Sequence, residues 1–170
     1  MSELEPIILR LPTLEDGMSV FRLIESCPPL DTNSSYCNLL QCSHFASTSV
    51  AAEMGDDLAG FISGYILPER TNTLFVWQVA VAAQARGMGL ASRMLTHILD
   101  RPHCEDIDYL ETTITQDNQA SWALFNGLAM KFSAGLQSSV WLDKETHFAG
   151  QHDSEKLVRI GPFNKEKRTS

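Results

Sequence analysis

The chain has 170 residues, of which 44% are hydrophobic and 20% charged, with 10 glycines and 7 prolines. That balance suits a single packed globular domain and speaks against a disordered or fibrous chain. The net charge of −8 repels a phosphate backbone, which disfavours nucleic-acid binding, and attracts a small cation.

The longest apolar runs, residues 58–67 and 75–83, fall well below the ~18 residues of a membrane span. The first ten residues carry acids where an export signal carries bases, so a cytoplasmic protein is expected. Cys27, Cys37, Cys42 and Cys104 show no C-x-x-C spacing and read as free thiols. The scattered histidines speak against a metal site.

In chain order, residues 5–11 are short, apolar and β-branched, as a strand requires. Thr13 and Asp16 have capping-box spacing, and Leu14, Met18, Phe21, Leu23 and Ile24 give the following helix its apolar face. Pro28 and Pro29 stop that helix by Cys27. A polar loop over 31–38 leads into a short helix near Tyr36–His44. Residues 47–54 and 58–67 read as a hairpin across Gly-Asp-Asp. Residues 73–82 form the most apolar strand, which places it at the centre of the sheet.

A glycine-bearing turn at 84–89 precedes a helix from Met88 to Leu99, whose face is Leu90, Met94, Leu95 and Ile98. A strand over 108–115 is followed by a helix over 118–130 with Trp122, Phe125 and Leu128 at helical spacing. Two further strands, near 133–142 and 156–161, flank a polar link. The order β-α-α-β-β-β-α-β-α-β-β predicts a mixed sheet covered by helices. One domain over 1–163 and a frayed tail over 164–170 complete the expectation.

The segment VAVAAQARGMGLASRML is a strand, a glycine turn and a helix start in succession, which is the physical form of an anion site. Gly87 and Gly89 allow close backbone approach, and Arg86 adds donors for phosphate. A P-loop is excluded because the chain has no Gly-Lys pair. A dinucleotide turn draws some support from Asp108 and Glu111 as ribose-binding acids, but it needs a third glycine where Ser92 stands.

The string Gln84-Ala-Arg-Gly-Met-Gly89 matches [QR]-x-x-G-x-[GA], the pyrophosphate signature of the GNAT N-acetyltransferases. Asn118-Gln-Ala-Ser121-Trp-Ala-Leu-Phe125 resembles the second motif of that family, the helix bordering the acetyl-CoA arm. The resemblance implies an α/β (α+β) fold with a mixed, mostly antiparallel sheet of about seven strands flanked by helices. It implies that acetyl-CoA is the acetyl donor and that no metal takes part. The backbone of Val79, Ala80 and Val81 would pair with the pantetheine arm. Gln84 belongs to the signature, and the N–H groups of Arg86, Gly87, Met88, Gly89 and Leu90 would hold the pyrophosphate. Asn118, Ser121 and Phe125 would line the path to the acetyl group. Phe125 stands where many relatives carry a tyrosine, and it has no proton to give a leaving thiolate.

The segments around 28–45, 76–82 and 150–163 resemble the members of this family that acetylate L-2,4-diaminobutyrate on the way to the compatible solute ectoine. That resemblance implies transfer to the γ-amine by direct attack, in a cytoplasmic homodimer, with a small cationic amino acid as acceptor and neither nucleic acid nor membrane as partner. Asp31, Tyr36, Trp77 and Asp153 would then bind the substrate. Glu155 would act as general base, with His152 as the second choice. The bland readings are a helix cap for Asp31, core packing for Trp77 and a solvated polar run for 152–155. An acetyltransferase for a polyamine, an antibiotic or a protein N-terminus is the main rival. An acyl-CoA sensor without turnover is the other. No G-x-S-x-G elbow or Cys–His nucleophile motif supports hydrolase chemistry.

Overall fold

The computed structural model describes residues 5–164 and Glu166. The strands are β1 (Ile7–Arg10), β2 (Val50–Met54), β3 (Asp57–Leu67), β4 (Arg70–Val81), β5 (Tyr109–Thr115), β6 (Leu136–Leu142) and β7 (Glu155–Ile160). The α-helices are α1 (Gly17–Glu25), α2 (Ser35–Cys42), α3 (Leu90–Leu99) and α4 (Gln119–Lys131). Their order along the chain is the one the sequence predicts. The sheet runs β1-β2-β3-β4-β5-β7-β6, which puts the most apolar strand fourth of seven. β4 and β5 run parallel, as strands joined by a helical crossover can, and β1–β2, β2–β3, β5–β7 and β6–β7 are antiparallel. The tail expected to fray lies outside the described residues apart from Asn164 and Glu166.

The chain divides into two compact units, one running up to Tyr65 and including Val76–Cys104, the other made of Ile66–Phe75 and the chain from Glu105 onward. In the first unit, Val20, Leu23 and Ile24 of α1 and Cys42 of α2 pack with Phe61 and Ala80 of the sheet. The start of α1 is fixed electrostatically. Thr13 N–H donates to Asp16 at 2.7 Å, and the Arg10 guanidinium grips the same carboxylate through two bonds of 2.7 and 2.8 Å. Hydrogen bonds from Arg10 hold the Asp16 carboxyl below the usual range, although burial opposes them. α1 ends where Ser26 Oγ donates to the Leu23 carbonyl at 2.7 Å, just before the paired prolines.

β2 begins at Val50 and not at residue 47, because residues 46–48 are a tight helical turn. The Ser47 carbonyl is taken by the buried Arg101 at 2.8 Å and by His103 Nε2 at 2.6 Å, so it is withdrawn from the sheet ladder. Cys27, Cys42 and Cys104 are buried, Cys37 is half-buried, and all four are free.

In the second unit, β7 pairs along its full length with β5 and with β6. Phe125, Leu128 and Ala129 are the buried residues of α4. β4 starts at Arg70, earlier than the polar residues 70–72 suggest, because only Pro68 and Glu69 separate it from β3, its neighbour in the sheet, and Arg70 also enters a long-range ion pair. Glu111 is 1% exposed and meets Arg70 at 2.9 Å and Arg159 at 3.4 Å. Arg159 also lies 3.8 Å over the Tyr109 ring. Glu111 is thus committed to two guanidinium groups inside the fold, which removes it as a ribose-binding acid.

Candidate active site

In the first unit, the turn after β4 is built from residues that leave donors exposed. Val81 ends the strand, a short helical turn covers Ala83–Ala85, and Arg86 is extended. Gly87 and Gly89 have φ of +78° and +71°, values at which a side chain is strained. A Cβ at either glycine would meet nothing within 4 Å, so packing does not explain them. Gly89 is the N-cap of α3 and offers no side chain to the first turn of that helix. The unpaired N–H groups and positive dipole end of α3 therefore begin beside open space that no capping side chain fills, which is what an anion needs. Gln84, Arg86 and Met88 are exposed around it, and Leu90 is buried.

Arg86 departs from the sequence expectation in part. Its Nε–H donates to the Val81 carbonyl at 3.2 Å, and its backbone N–H reaches the Ala83 carbonyl at 3.4 Å. The donor fork it can offer a phosphate is therefore its two Nη groups. The Val81 carbonyl also accepts from Cys27 Sγ at 3.4 Å. Ala80 is buried, and Val79 and Val81 are half-buried.

The acceptor candidates of this unit lie on the loop before α2 and on β4. Ser34, and not Asp31, caps α2, accepting the Cys37 N–H at 3.1 Å. This removes the capping explanation for Asp31, which is exposed. Tyr36 is 69% exposed in the first turn of α2. Trp77 is 39% exposed, so it is not a core residue, and Phe45 and Tyr65 hold it edge-on at 5.8 and 6.1 Å between ring centroids.

In the second unit, Asn118 caps α4, its Oδ1 accepting the Ser121 N–H at 3.1 Å. That oxygen is spent on the helix, so the motif's asparagine fixes the start of α4. Phe125 is 2% exposed.

The link between β6 and β7 is a hydrogen-bonded loop. The Asp143 carboxylate accepts the N–H groups of Glu145 and Thr146 at 3.0 and 2.8 Å, and Lys144 N–H donates to Ser154 Oγ at 2.8 Å. His152 Nδ1 lies 2.7 Å from the Asp153 carbonyl. A carbonyl only accepts, so Nδ1 carries the hydrogen in this contact. Phe148 lies against this imidazole at 4.8 Å, a contact with no local sequence signal. The Asp153 carboxylate faces Lys144 at 3.7 Å, both exposed, as a solvated pair does. Glu155 is the first residue of β7 and not part of the link, half-buried and in register with Thr115 and Leu142.

A cavity of about 460 Å³ lies along β6 and β7, lined by Gln137, Ser138, Ser139, Leu157 and Arg159. It contains none of the predicted site residues. Among the described residues no group of three or more His, Cys, Asp or Glu could hold a metal ion, and no helix is long and apolar enough to cross a membrane.

The acetyltransferase (GNAT) family model matches residues 18–129, which include both the turn at Gly87 and the helix at Asn118. The chain belongs to the GNAT family of acetyltransferases. An L-2,4-diaminobutyric acid acetyltransferase of Methylotuvimicrobium alcaliphilum is 61% identical over 159 residues, 93% of this chain and 92% of that protein. Another from Vibrio parahaemolyticus is 53% identical over 154 residues, 90% of this chain and 84% of that one. The diaminobutyrate acetyltransferase of Paenibacillus lautus, solved in complex with its substrate L-2,4-diaminobutyric acid and coenzyme A, is 39% identical with a TM-score of 0.89, over 94% of this chain and 96% of that one. The seven strands and four helices are the GNAT fold, and the turn at Gly87–Gly89 carries the GNAT signature.

Proposed function

We propose that this GNAT protein transfers an acetyl group from acetyl-CoA to the γ-amine of L-2,4-diaminobutyrate. The observation that carries the reading is the 61% identity to a diaminobutyrate acetyltransferase over 93% of the chain. The likeness at TM-score 0.89 to an enzyme solved with that amine and coenzyme A supports it.

Acetyl-CoA, when bound, supplies an activated thioester. The N–H groups from Gly87 to Leu90, with the Arg86 Nη groups beside them, hold its pyrophosphate, and the open space beside the two glycines leaves room for a bulky anion. The edge of Val79–Val81 takes the pantetheine arm, and Asn118, Ser121 and Phe125 border the acetyl group.

Asp31 offers a carboxylate to an ammonium group of the acceptor, and Tyr36 and Trp77 offer aromatic surface that a cation also favours. Asp153 adds a second carboxylate. The γ-nitrogen attacks only as the free amine, so a proton must leave it. Glu155 accepts that proton, directly or through water. His152 is the second base. Phe125 has no proton to give, so the leaving thiolate takes its proton from water or from the amine. The active form is a cytoplasmic homodimer.

Thiol release from acetyl-CoA across a panel of amines tests the acceptor. L-2,4-diaminobutyrate is expected to give kcat/KM at least about a hundredfold above putrescine or an N-terminal peptide, because a pocket that pairs charged groups rejects ligands lacking them. Equal or better turnover of a polyamine would move the acceptor assignment to the rival class.

A further inference from the structure

We propose that the hydrogen bond between Asn33 and Gln78 is a latch that sets the acceptor-binding loop in register with β4, making both amides positioning residues for the acceptor amine. The proposal rests on the acceptor site assigned above. Asn33 Nδ2 donates to Gln78 Oε1 at 3.0 Å across 45 residues of chain. Gln78 is 8% exposed, a buried amide inside the apolar run VWQVAV. A buried amide without a partner is costly, so its placement needs an explanation.

The neighbours of the two residues supply one. Asn33 lies two residues after Asp31, three before Tyr36 and next to Ser34, the cap of α2. Gln78 lies between Trp77 and Val79, so it separates the acceptor side of β4 from the stretch assigned to the pantetheine arm. Trp77 is itself wedged between Phe45 and Tyr65, which makes it a fixed reference. The loop, by contrast, has no fully buried residue from Pro28 to Cys37, although Leu30 packs half-buried against the core. Asp31 and Tyr36 are exposed, and the buried residues of α2 begin at Asn38. A bond to a buried acceptor is therefore well placed to order the loop before substrate arrives. Without it, each binding event must order that segment, and the cost falls on the affinity for the amine.

The test uses Asn33→Ala and Gln78→Met, together with the exchange Asn33→Gln with Gln78→Asn, which keeps one amide on each side. The KM for L-2,4-diaminobutyrate should rise about tenfold in each single variant, while the KM for acetyl-CoA stays within about twofold. The exchange should recover most of the loss. An unchanged KM for the amine in both single variants overturns the latch. So does an equal rise in both KM values that the exchange fails to rescue, since a merely structural bond behaves that way. Turnover of L-2,4-diaminobutyrate by the unsubstituted protein is read first. Its absence would overturn the acceptor assignment and the latch together, whereas its presence with indifferent variants would overturn the latch alone.

Discussion

Glu155→Gln should lower kcat by about 10²–10³-fold while leaving the KM for acetyl-CoA near its starting value. Glutamine keeps the size of the side chain and its place at the start of β7, in register with Thr115 and Leu142, so the strand pairing survives. What it loses is the capacity to take a proton from the ammonium form of the acceptor. Steady-state kinetics with each substrate varied in turn make the check, with kcat followed across pH. The deficit should shrink as pH rises toward the pKa of the amine, because more acceptor then arrives already deprotonated. An unaltered kcat at neutral pH would transfer the role to His152, whose Nδ1–H is held by the Asp153 carbonyl.

The second large effect is expected at Gly87, through binding of the donor. Gly87→Ala puts a methyl group into space where no protein atom lies within 4 Å, so the protein itself offers no clash. At φ +78° the methyl costs about 1–2 kcal/mol of backbone strain, which a domain of this size tolerates. The N–H groups beside it would be turned or shielded from the pyrophosphate. Losing one such charge-assisted bond is worth about 1.5–3 kcal/mol, so the KM for acetyl-CoA should rise roughly tenfold to a hundredfold. The KM for the amine should change little. Steady-state kinetics and a thermal melt separate the two effects. An unchanged KM for acetyl-CoA in a folded variant would remove the phosphate-turn assignment.

Much of this architecture is legible from local rules. Pro28 and Pro29 end α1, the glycine pair marks the entry to α3, and an apolar run free of charge marks β4 as the central strand. The elements that shift do so through partners distant in sequence. Ser47 leaves the β2 ladder because Arg101 and His103, more than fifty residues later, take its carbonyl. β4 starts early because it pairs with β3 straight after a two-residue turn, and there Arg70 finds Glu111. Asn118 belongs to a recognisable motif, yet only the structure shows its oxygen spent on the Ser121 N–H.

The site follows the same division. Gly87 and Gly89 are readable because their chemistry is backbone chemistry, written in the chain itself. Trp77 is ambiguous in sequence, since a tryptophan on an apolar strand reads equally well as core. Its exposure and its two edge-on neighbours are tertiary facts. Phe148 and Asn33 carry no local signal at all. Gln78 does carry one, a lone amide in an apolar strand, and it becomes interpretable once Asn33 is found opposite it.

Transfer to the γ-nitrogen of L-2,4-diaminobutyrate is decided by where the acetyl group sits in the product. Acetyl-CoA, L-2,4-diaminobutyrate and the protein are incubated until thiol release is complete, and the product is read by NMR. A single product is expected, whose γ-methylene protons are shifted by the new amide while the α-proton keeps its free-amine position. Acetyl on the α-nitrogen, or no thiol release from a protein that still binds acetyl-CoA, would contradict it.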